Sequence, residues 1–324
     1  MRISVVIPTR ERAGSLAATL RGVAMQVHDD LEIVLVDDGS SEAAARANRA
    51  LLEASARPFQ YVHVAAHGPG GSGPGRARNI GIARATGTFV TFCDDDDAWT
   101  DPQHLSRVAL HAANAPQADL YFANQRAMRD DAVLFEYWLP AYTTKVVAAR
   151  GLDGSIIPVR RAECLSRAGD FPHGNTCVVR KSLLDEIGGY WEGVRYASDM
   201  DLFVRMADRA REIYFQCATV ARHEVPNPAL RNNVSTRRSA DGKAFDLAMI
   251  AEHLMFHCLT PEARAYAKDL GGQALRALAI SRVQTGDRVS AASWARQALV
   301  LHPTWKWFAY TGFLRFGAML TRLG

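Results

Sequence analysis

Four aspartates, Asp94-Asp95-Asp96-Asp97, stand side by side directly after the apolar run from Phe89 to Cys93. Adjacent carboxylates repel and raise one another's pKa unless a cation or a set of donors offsets the charge. Acids favour the first turn of a helix, and Thr100 with Pro102 marks a helix start nearby, but one or two acids suffice for that. A hard divalent cation takes oxygen ligands and often brings substrate phosphates with it, so the run reads as a metal site. A second pair, Asp37-Asp38, precedes Gly39-Ser40. Asp and Gly make turns without any further role; the functional alternative is a carboxylate that accepts hydrogen bonds from a base imide or a ribose hydroxyl. A third group lies in Ser198-Asp199-Met200-Asp201. There Ser198 is expected to cap a helix whose favourable first turn holds both acids. His223 follows a strand-like run, and a lone histidine is more often structural than a ligand.

The glycine loop "GPGGSGPGR" offers a competing chemistry. Gly68, Gly70 and Gly73 match G-x-G-x-x-G, and Asp94 follows where a ribose-binding acid would be sought, which is the pattern of an NAD-linked oxidoreductase. Against it, Pro69 and Pro74 interrupt the turn, two glycines stand outside the pattern, and the strand-end acid is one of four. A phosphate-binding P-loop is missed too, because Arg76-Ala77 stands where Lys-Ser/Thr is required. The remaining readings are a flexible lid or a surface linker.

Such groups need elements to hold them. Ile3–Ile7, Ile33–Val36, Tyr61–Ala65 and Phe89–Cys93 alternate with helical patterns, which predicts βαβ units and a mainly parallel sheet flanked by helices. Leu16, Leu20, Val23 and Ala24 form one apolar helical stripe, and "RARNIGIARATG" is a short helix that Gly87 is placed to cap. Ligands of open α/β sheets bind beyond the carboxyl ends of strands, which is where Thr9, Asp37-Asp38 and the four aspartates fall. Between about 115 and 225 apolar runs mix with helices at about 181–188 and 199–210. From about 240 the pattern is helical, with no 34-residue self-similarity.

The 324 residues, 48% hydrophobic and 22% charged, suffice for one large domain and an accessory piece. A formal charge of +4 is too small to argue for a nucleic-acid partner, though it suits phosphates or an acidic membrane surface. Five cysteines, odd in number and without a C-x-x-C pair, read as reduced thiols of a cytoplasmic protein. No signal-peptide pattern is present at the N-terminus, and no run reaches the roughly 18 apolar residues of a membrane span. The tail mixes Trp305, Trp307, Phe308, Phe313, Leu314 and Phe316 with Lys306, Arg315 and Arg322. It reads either as packed core or as an amphipathic helix on anionic lipid, giving peripheral contact with the inner face of a membrane.

"SVVIPTRER", "IVLVDDGS", "GRARNIGIARATGTFVTFCDDDDAW" and "GNTCVVRKSLLDEIGGYWEGVRYASDMDLFVRMA" resemble, in order and spacing, the family 2 glycosyltransferases of GT-A fold. The resemblance covers about residues 1–225, leaving 226–324 as a helical C-terminal region. It implies an α/β, Rossmann-like GT-A domain that moves a sugar from a nucleotide diphosphate sugar to an acceptor hydroxyl with inversion. It also implies Mg²⁺ or Mn²⁺ as cofactor, offsetting the charge of the donor diphosphate, and a glycan or glycolipid acceptor in cell-surface polysaccharide or glycolipid synthesis. By the same resemblance Asp96 is the metal ligand, with His223 added to that site, and Asp94 and Asp95 lie at the donor, Asp95 near its ribose. Asp38 reads the nucleobase, Thr9 and Glu11 line its pocket, and Arg78 sits near the base or diphosphate. Asp199 aligns with the aspartate of the family's Glu-Asp pair and would be the general base; Ser198 replaces the glutamate. Arg10-Glu11 departs from the usual aromatic and asparagine. The alternative from another class is a non-catalytic nucleotide-binding module whose helical region recruits a partner.

Overall fold

The computed structural model describes residues 1–324 except 56, 66–70, 130, 140–144, 147, 150, 167–168, 228, 231–232 and 324, and except the side chains of 317 and 320–323. Among the described residues ten strands form one mixed sheet. They are β1 (Ile3–Thr9), β2 (Leu31–Asp37), β3 (Phe59–His63), β4 (Phe89–Phe92), β5 (Ala98–Trp99), β6 (Ala118–Arg129), β7 (Ala132–Phe135), β8 (Ile156–Val159), β9 (Cys177–Arg180) and β10 (Glu212–Glu224). Their order is β3-β2-β1-β4-β9-β6-β10-β5, with β7 paired to β6 and β8 to β10. The pairs β1–β2, β1–β4, β2–β3 and β6–β10 are parallel, and β9 runs antiparallel between β4 and β6. The helices are α1 (Ala13–Ala24), α2 (Glu42–Glu53), α3 (Pro74–Arg84), α4 (His104–Asn114), α5 (Arg161–Cys164), α6 (Lys181–Ile187), α7 (Ser198–Arg209), α8 (Val234–Arg237), α9 (Ala240–His257), α10 (Pro261–Gln284), α11 (Arg288–Leu301) and α12 (Trp305–Leu323).

The central strands read as continuous apolar runs because both of their faces are covered. Successive side chains point to opposite faces of a strand, and two cores share them accordingly. Ile3, Val5, Ile7, Ile33, Leu35, Phe89 and Tyr121 lie on the face covered by α1 and α4. Val6, Val34, Val36, Val90, Phe92 and Phe122 lie on the other, under α3, α6 and α7. Leu16, Leu20 and Val23 of the predicted stripe on α1 are buried; Ala24 is exposed, and Thr19 and Gly22 take the remaining inward positions.

Gly87 does not cap α3. That helix closes on Ala85 in extended conformation, and Gly87 lies flat against β1, where a Cβ would stand 2.7 Å from Ser4 Oγ and 2.8 Å from Ser4 N. The expected cap by Ser198 is absent as well: the N-cap of α7 is Ala197 in the left-handed region (φ 58), with no side-chain hydrogen bond to the helix.

The helical region is continuous in packing with the sheet domain. Ile250, Ala251 and Leu254 of α9 and Tyr266, Ala267 and Leu270 of α10 belong to the same core as Phe203 and Phe215. The α11–α12 end packs through smaller clusters around Ala279, Ala291, Ala295, Ala298 and Leu314. Among the described residues no helix is long and apolar enough to cross a membrane.

Candidate active site

The strand order brings the chemistry-bearing residues to one rim. β1, β2 and β4 are mutually parallel, so Thr9, Asp37-Asp38 and Asp94–Asp97 emerge on the same side of the sheet. β9 is antiparallel, so the segment entering it, which includes His173 and Asn175, reaches that rim too. β10 ends there with His223.

Each carboxylate of the acidic run has its own partners. Asp94 pairs with Arg78 Nη2 at 2.5 Å. Asp95 accepts the Thr9 hydroxyl at 2.7 Å and Arg12 Nη1 at 3.1 Å, and the same Arg12 nitrogen lies 2.5 Å from Asp96. Asp97 is fully buried and accepts Asn175 Nδ2 at 2.8 Å and the Glu224 amide at 3.1 Å, with His223 Nδ1 at 2.8 Å. Thr19 of α1 donates to the backbone carbonyls of Asp97 and Asp94, holding the turn against the helix. Two guanidiniums do not neutralise the cluster. Burial pushes Asp95 up to about 6 against the pull of Arg12. Burial and the neighbouring Asp97 and Asp95 also raise Asp96. Burial works against ionised Asp94 as well, but Arg78 holds it below the usual carboxylate range.

On the β2 side the two acids divide their work. Asp37 supports the turn, accepting the Ser40 amide, the Asn48 amide group and the Tyr61 hydroxyl. Asp38 turns toward the glycine loop and accepts the Ser72 amide at 2.9 Å and the Gly73 amide at 3.0 Å. Gly71 has φ 66, and a Cβ on it would lie 2.4 Å from the Asp38 carboxylate, so this close approach requires glycine. Gly68 and Gly70 lie outside the described residues. Glu11 takes a positive φ of 55 and sends its carboxylate to Ser41, the N-cap of α2, rather than toward the acidic run.

Asp199 opens α7 across the rim from the run. Its carboxylate lies 3.7 Å from His173 Nε2 and 4.0 Å from Arg78 Nη1. Gly174 passes so close that a Cβ there would be 3.5 Å from Asp199 Oδ1 and 3.2 Å from the Tyr190 hydroxyl. Asp97, His173 and His223 each present one ligand-type atom, all within 4.8 Å of one another. These residues fit the divalent cation that the acidic run implies. His173 Nδ1 and Asp199 Oδ1 are buried with no hydrogen-bond partner, and His173 is held neutral by burial and by the adjacent His223, as a ligand must be. Burial would lower His223, but Asp97 overrides it and pushes His223 up to about 9. Cation binding there would therefore release a proton.

Of the residues singled out from the sequence, Thr9, Arg78, Asp94, Asp95, Asp96, Asp199 and His223 gather at this rim, with Asp38 beside them under the glycine loop. Glu11 stands at the edge, occupied by α2. Sequence reasoning passed over Arg12, His173 and Asn175. Arg12 carried a signal: it is a cation at the N-cap of α1, the helix end that disfavours positive charge, which points to an acidic partner elsewhere. His173 sits between Pro172 and Gly174 in an irregular stretch, and only the antiparallel entry of β9 brings it to the acids.

The family model described as glycosyl transferase family 2 matches residues 4–188. An uncharacterized glycosyltransferase of Nostoc sp. is 38% identical over 108 residues, which are 33% of this chain and 32% of that protein. The chain thus spans about a third of that relative's length. Among solved structures, S. aureus TarS in complex with UDP-GlcNAc superposes with a TM-score of 0.64 at 16% identity, over 92% of this chain and 81% of that one. The mannosyltransferase PcManGT from Pyrobaculum calidifontis, in complex with GDP-Man and Mn²⁺, gives a TM-score of 0.58 at 20% identity, over 97% and 84% of the two chains. The fold is therefore the α/β, GT-A-like arrangement, a largely parallel sheet between helices with further helices at the C-terminal end.

Proposed function

We propose the reaction from one premise: this chain belongs to glycosyl transferase family 2. It transfers a sugar from a nucleotide diphosphate sugar to an acceptor hydroxyl, with inversion, in the synthesis of a cell-surface polysaccharide or glycolipid. Residues 1–225 are the transferase domain and 226–324 a helical region attached to it. The reading assigns the enzyme to the cytoplasm.

The observation that carries this is the meeting, at one rim, of a metal-fitting cluster with the carboxylate of Asp199. Asp97, His173 and His223 stand within ligand spacing, and Asp199 faces His173 at 3.7 Å. That related structures hold UDP-GlcNAc, or GDP-Man with Mn²⁺, supports a nucleotide-sugar donor and a divalent cation here. His223 and the acids Asp96 and Asp97, with His173 beside them, would hold Mg²⁺ or Mn²⁺. When bound, the ion supplies positive charge for the donor diphosphate and for the leaving nucleotide.

The protein's own residues do the rest. Asp38 accepts hydrogen bonds from the base in place of those it now takes from the loop amides, with Thr9 and Glu11 at that end of the cleft. Asp95, fixed by Thr9 and Arg12, lies at the ribose. Arg78 holds Asp94 and lies 4.0 Å from Asp199, bridging the acidic run and the catalytic carboxylate. Asp199 then takes the proton of the acceptor hydroxyl as its oxygen bonds to the anomeric carbon. The bond from that carbon to the diphosphate oxygen breaks, and its electron pair leaves with the nucleoside diphosphate.

Incubation of the chain with a panel of UDP-, GDP- and dTDP-sugars, with Mn²⁺ or with EDTA, tests the reading. Release of nucleoside diphosphate from one donor class, only with metal, is the expected result. Tight nucleotide binding without turnover of any donor would favour the non-catalytic module instead.

A further inference from the structure

Helix α12 buries one face and leaves the opposite one uncovered. Trp307, Thr311, Leu314 and Ala318 turn inward: Thr311, Leu314 and Ala318 are buried, and Trp307 Nε1 donates to the Ala295 carbonyl at 2.9 Å. At about 100° per residue, Trp305, Phe308, Phe313, Phe316 and Met319 fall within roughly 140° of one another on the far side. All five are open to solvent, with relative exposures of 56% to 81%. The Trp305 and Phe308 rings stack 5.7 Å apart. Lys306 and Arg315, both exposed, border this stripe on either side.

We propose that this face of α12 seats the protein on an anionic lipid surface, lying in the headgroup plane with its five apolar side chains below it. Two features favour lipid over other occupants. From Arg288 to Gly324 the chain carries Arg288, Arg296, Lys306, Arg315 and Arg322 and no acidic residue. The region is thus charge-complementary to acidic headgroups, and the pattern of aromatics opposite basic residues is that of an interfacial helix. A second copy is disfavoured by the same charges. A two-fold contact sets a patch against itself, so Lys306 and Arg315 of one copy would meet those of the other with no acid on the segment to offset them. The face lies outside the rim that holds the acidic run, so this inference stands apart from the reaction proposed above.

The test is co-sedimentation of the full chain with vesicles of phosphatidylcholine, with and without 30 mol% phosphatidylglycerol. The expected result is binding to the anionic vesicles, at least about tenfold weaker binding to neutral ones, and release at about 1 M NaCl. Phe313→Glu with Phe316→Glu should lower the partition about tenfold or more on anionic vesicles. Lys306→Glu with Arg315→Glu should do so with the apolar face intact, and the melting temperature of each double variant should match the parent. Failure of the parent to sediment, or equal sedimentation of parent and both variants, overturns the proposal. So does a parent that elutes as a dimer, ignores vesicles and becomes monomeric in the Phe313→Glu, Phe316→Glu variant. If one variant does not fold, the other decides.

Discussion

Replacing Asp201 by asparagine should unfasten α7 from the helical region, although Asp201 stands only two residues from Asp199. Asp201 is completely buried. Its Oδ2 accepts Arg205 Nε at 2.9 Å and Nη2 at 2.5 Å, and its Oδ1 lies 2.7 Å from His253 Nδ1 on α9. Arg205 in turn donates to the Ile187 and Gly189 carbonyls, and Trp191 stacks on His253 with ring centroids 4.1 Å apart. Asparagine keeps the shape but loses the charge that Arg205 pairs with, and its NH₂ group must face either the Arg205 guanidinium or His253 Nδ1. Breaking a buried ion pair by removing one partner costs about 3–5 kcal/mol. At roughly 2 °C per kcal/mol, the low end for domains of this size, the melting temperature should fall by about 6–10 °C. Differential scanning calorimetry measures it, with urea unfolding as a second readout. A melting temperature within about 2 °C of the parent would refute the view that this buried network joins the two regions.

Three further predictions rest on separate observations. Burial holds His104 near pKa 4 in the folded protein against 6.5 ordinarily, despite its hydrogen bond to Gln216, and its Nε2 has no partner. Because the folded pKa is depressed, the unfolded chain binds the extra proton. Stability should therefore be full above about pH 6.5 and fall by about 2 kcal/mol by pH 5, a slope that His104→Gln should remove from melting curves run between pH 7.5 and 5. A Cβ on Gly81 would lie 2.3 Å from Val6 Cγ1, so Gly81→Ala should cost about 1–3 kcal/mol by overpacking; urea unfolding should show most of that loss relieved in a Val6→Ala background. Arg12 links Asp95 and Asp96, so Arg12→Gln should raise the demand for Mn²⁺ in donor binding by titration calorimetry, with an unchanged requirement counting against its role in the run.

The parts of the fold legible in the sequence are those whose signal is local. β1, β2 and β4 are buried on both faces, and such strands must be apolar at every position, so Ile3–Ile7 and Phe89–Cys93 announced themselves. The helix at 181–188 was equally readable, because Gly188 at its C-cap adopts the left-handed conformation that ends it. Short strands such as β5 and β8, two and four residues long, carry no periodicity of their own and exist only through pairing with β10. Gly87 and Ser198 misled for a shared reason. Each residue type suits a helix end, but tertiary contact had claimed them: Gly87 for close packing on β1, Ser198 for a buried place inside the first turn of α7. At the site, residues on regular strand ends were identified. Those that arrive by chain reversal, His173 and Asn175, were not, since nothing in their neighbours records that β9 runs antiparallel into the middle of the sheet.

Single-turnover transfer by Asp199→Asn, measured with Mn²⁺ and a donor that the parent turns over, bears on the central claim with least interference. Asp199 approaches His173 at 3.7 Å and Arg78 at 4.0 Å, and asparagine preserves its size while removing its capacity to take a proton. The account predicts that the transfer rate falls by about 10² to 10⁴-fold while donor affinity and melting temperature stay at parent values, in contrast to the stability loss of Asp201→Asn. A transfer rate within a few fold of the parent, with the fold intact, would contradict it.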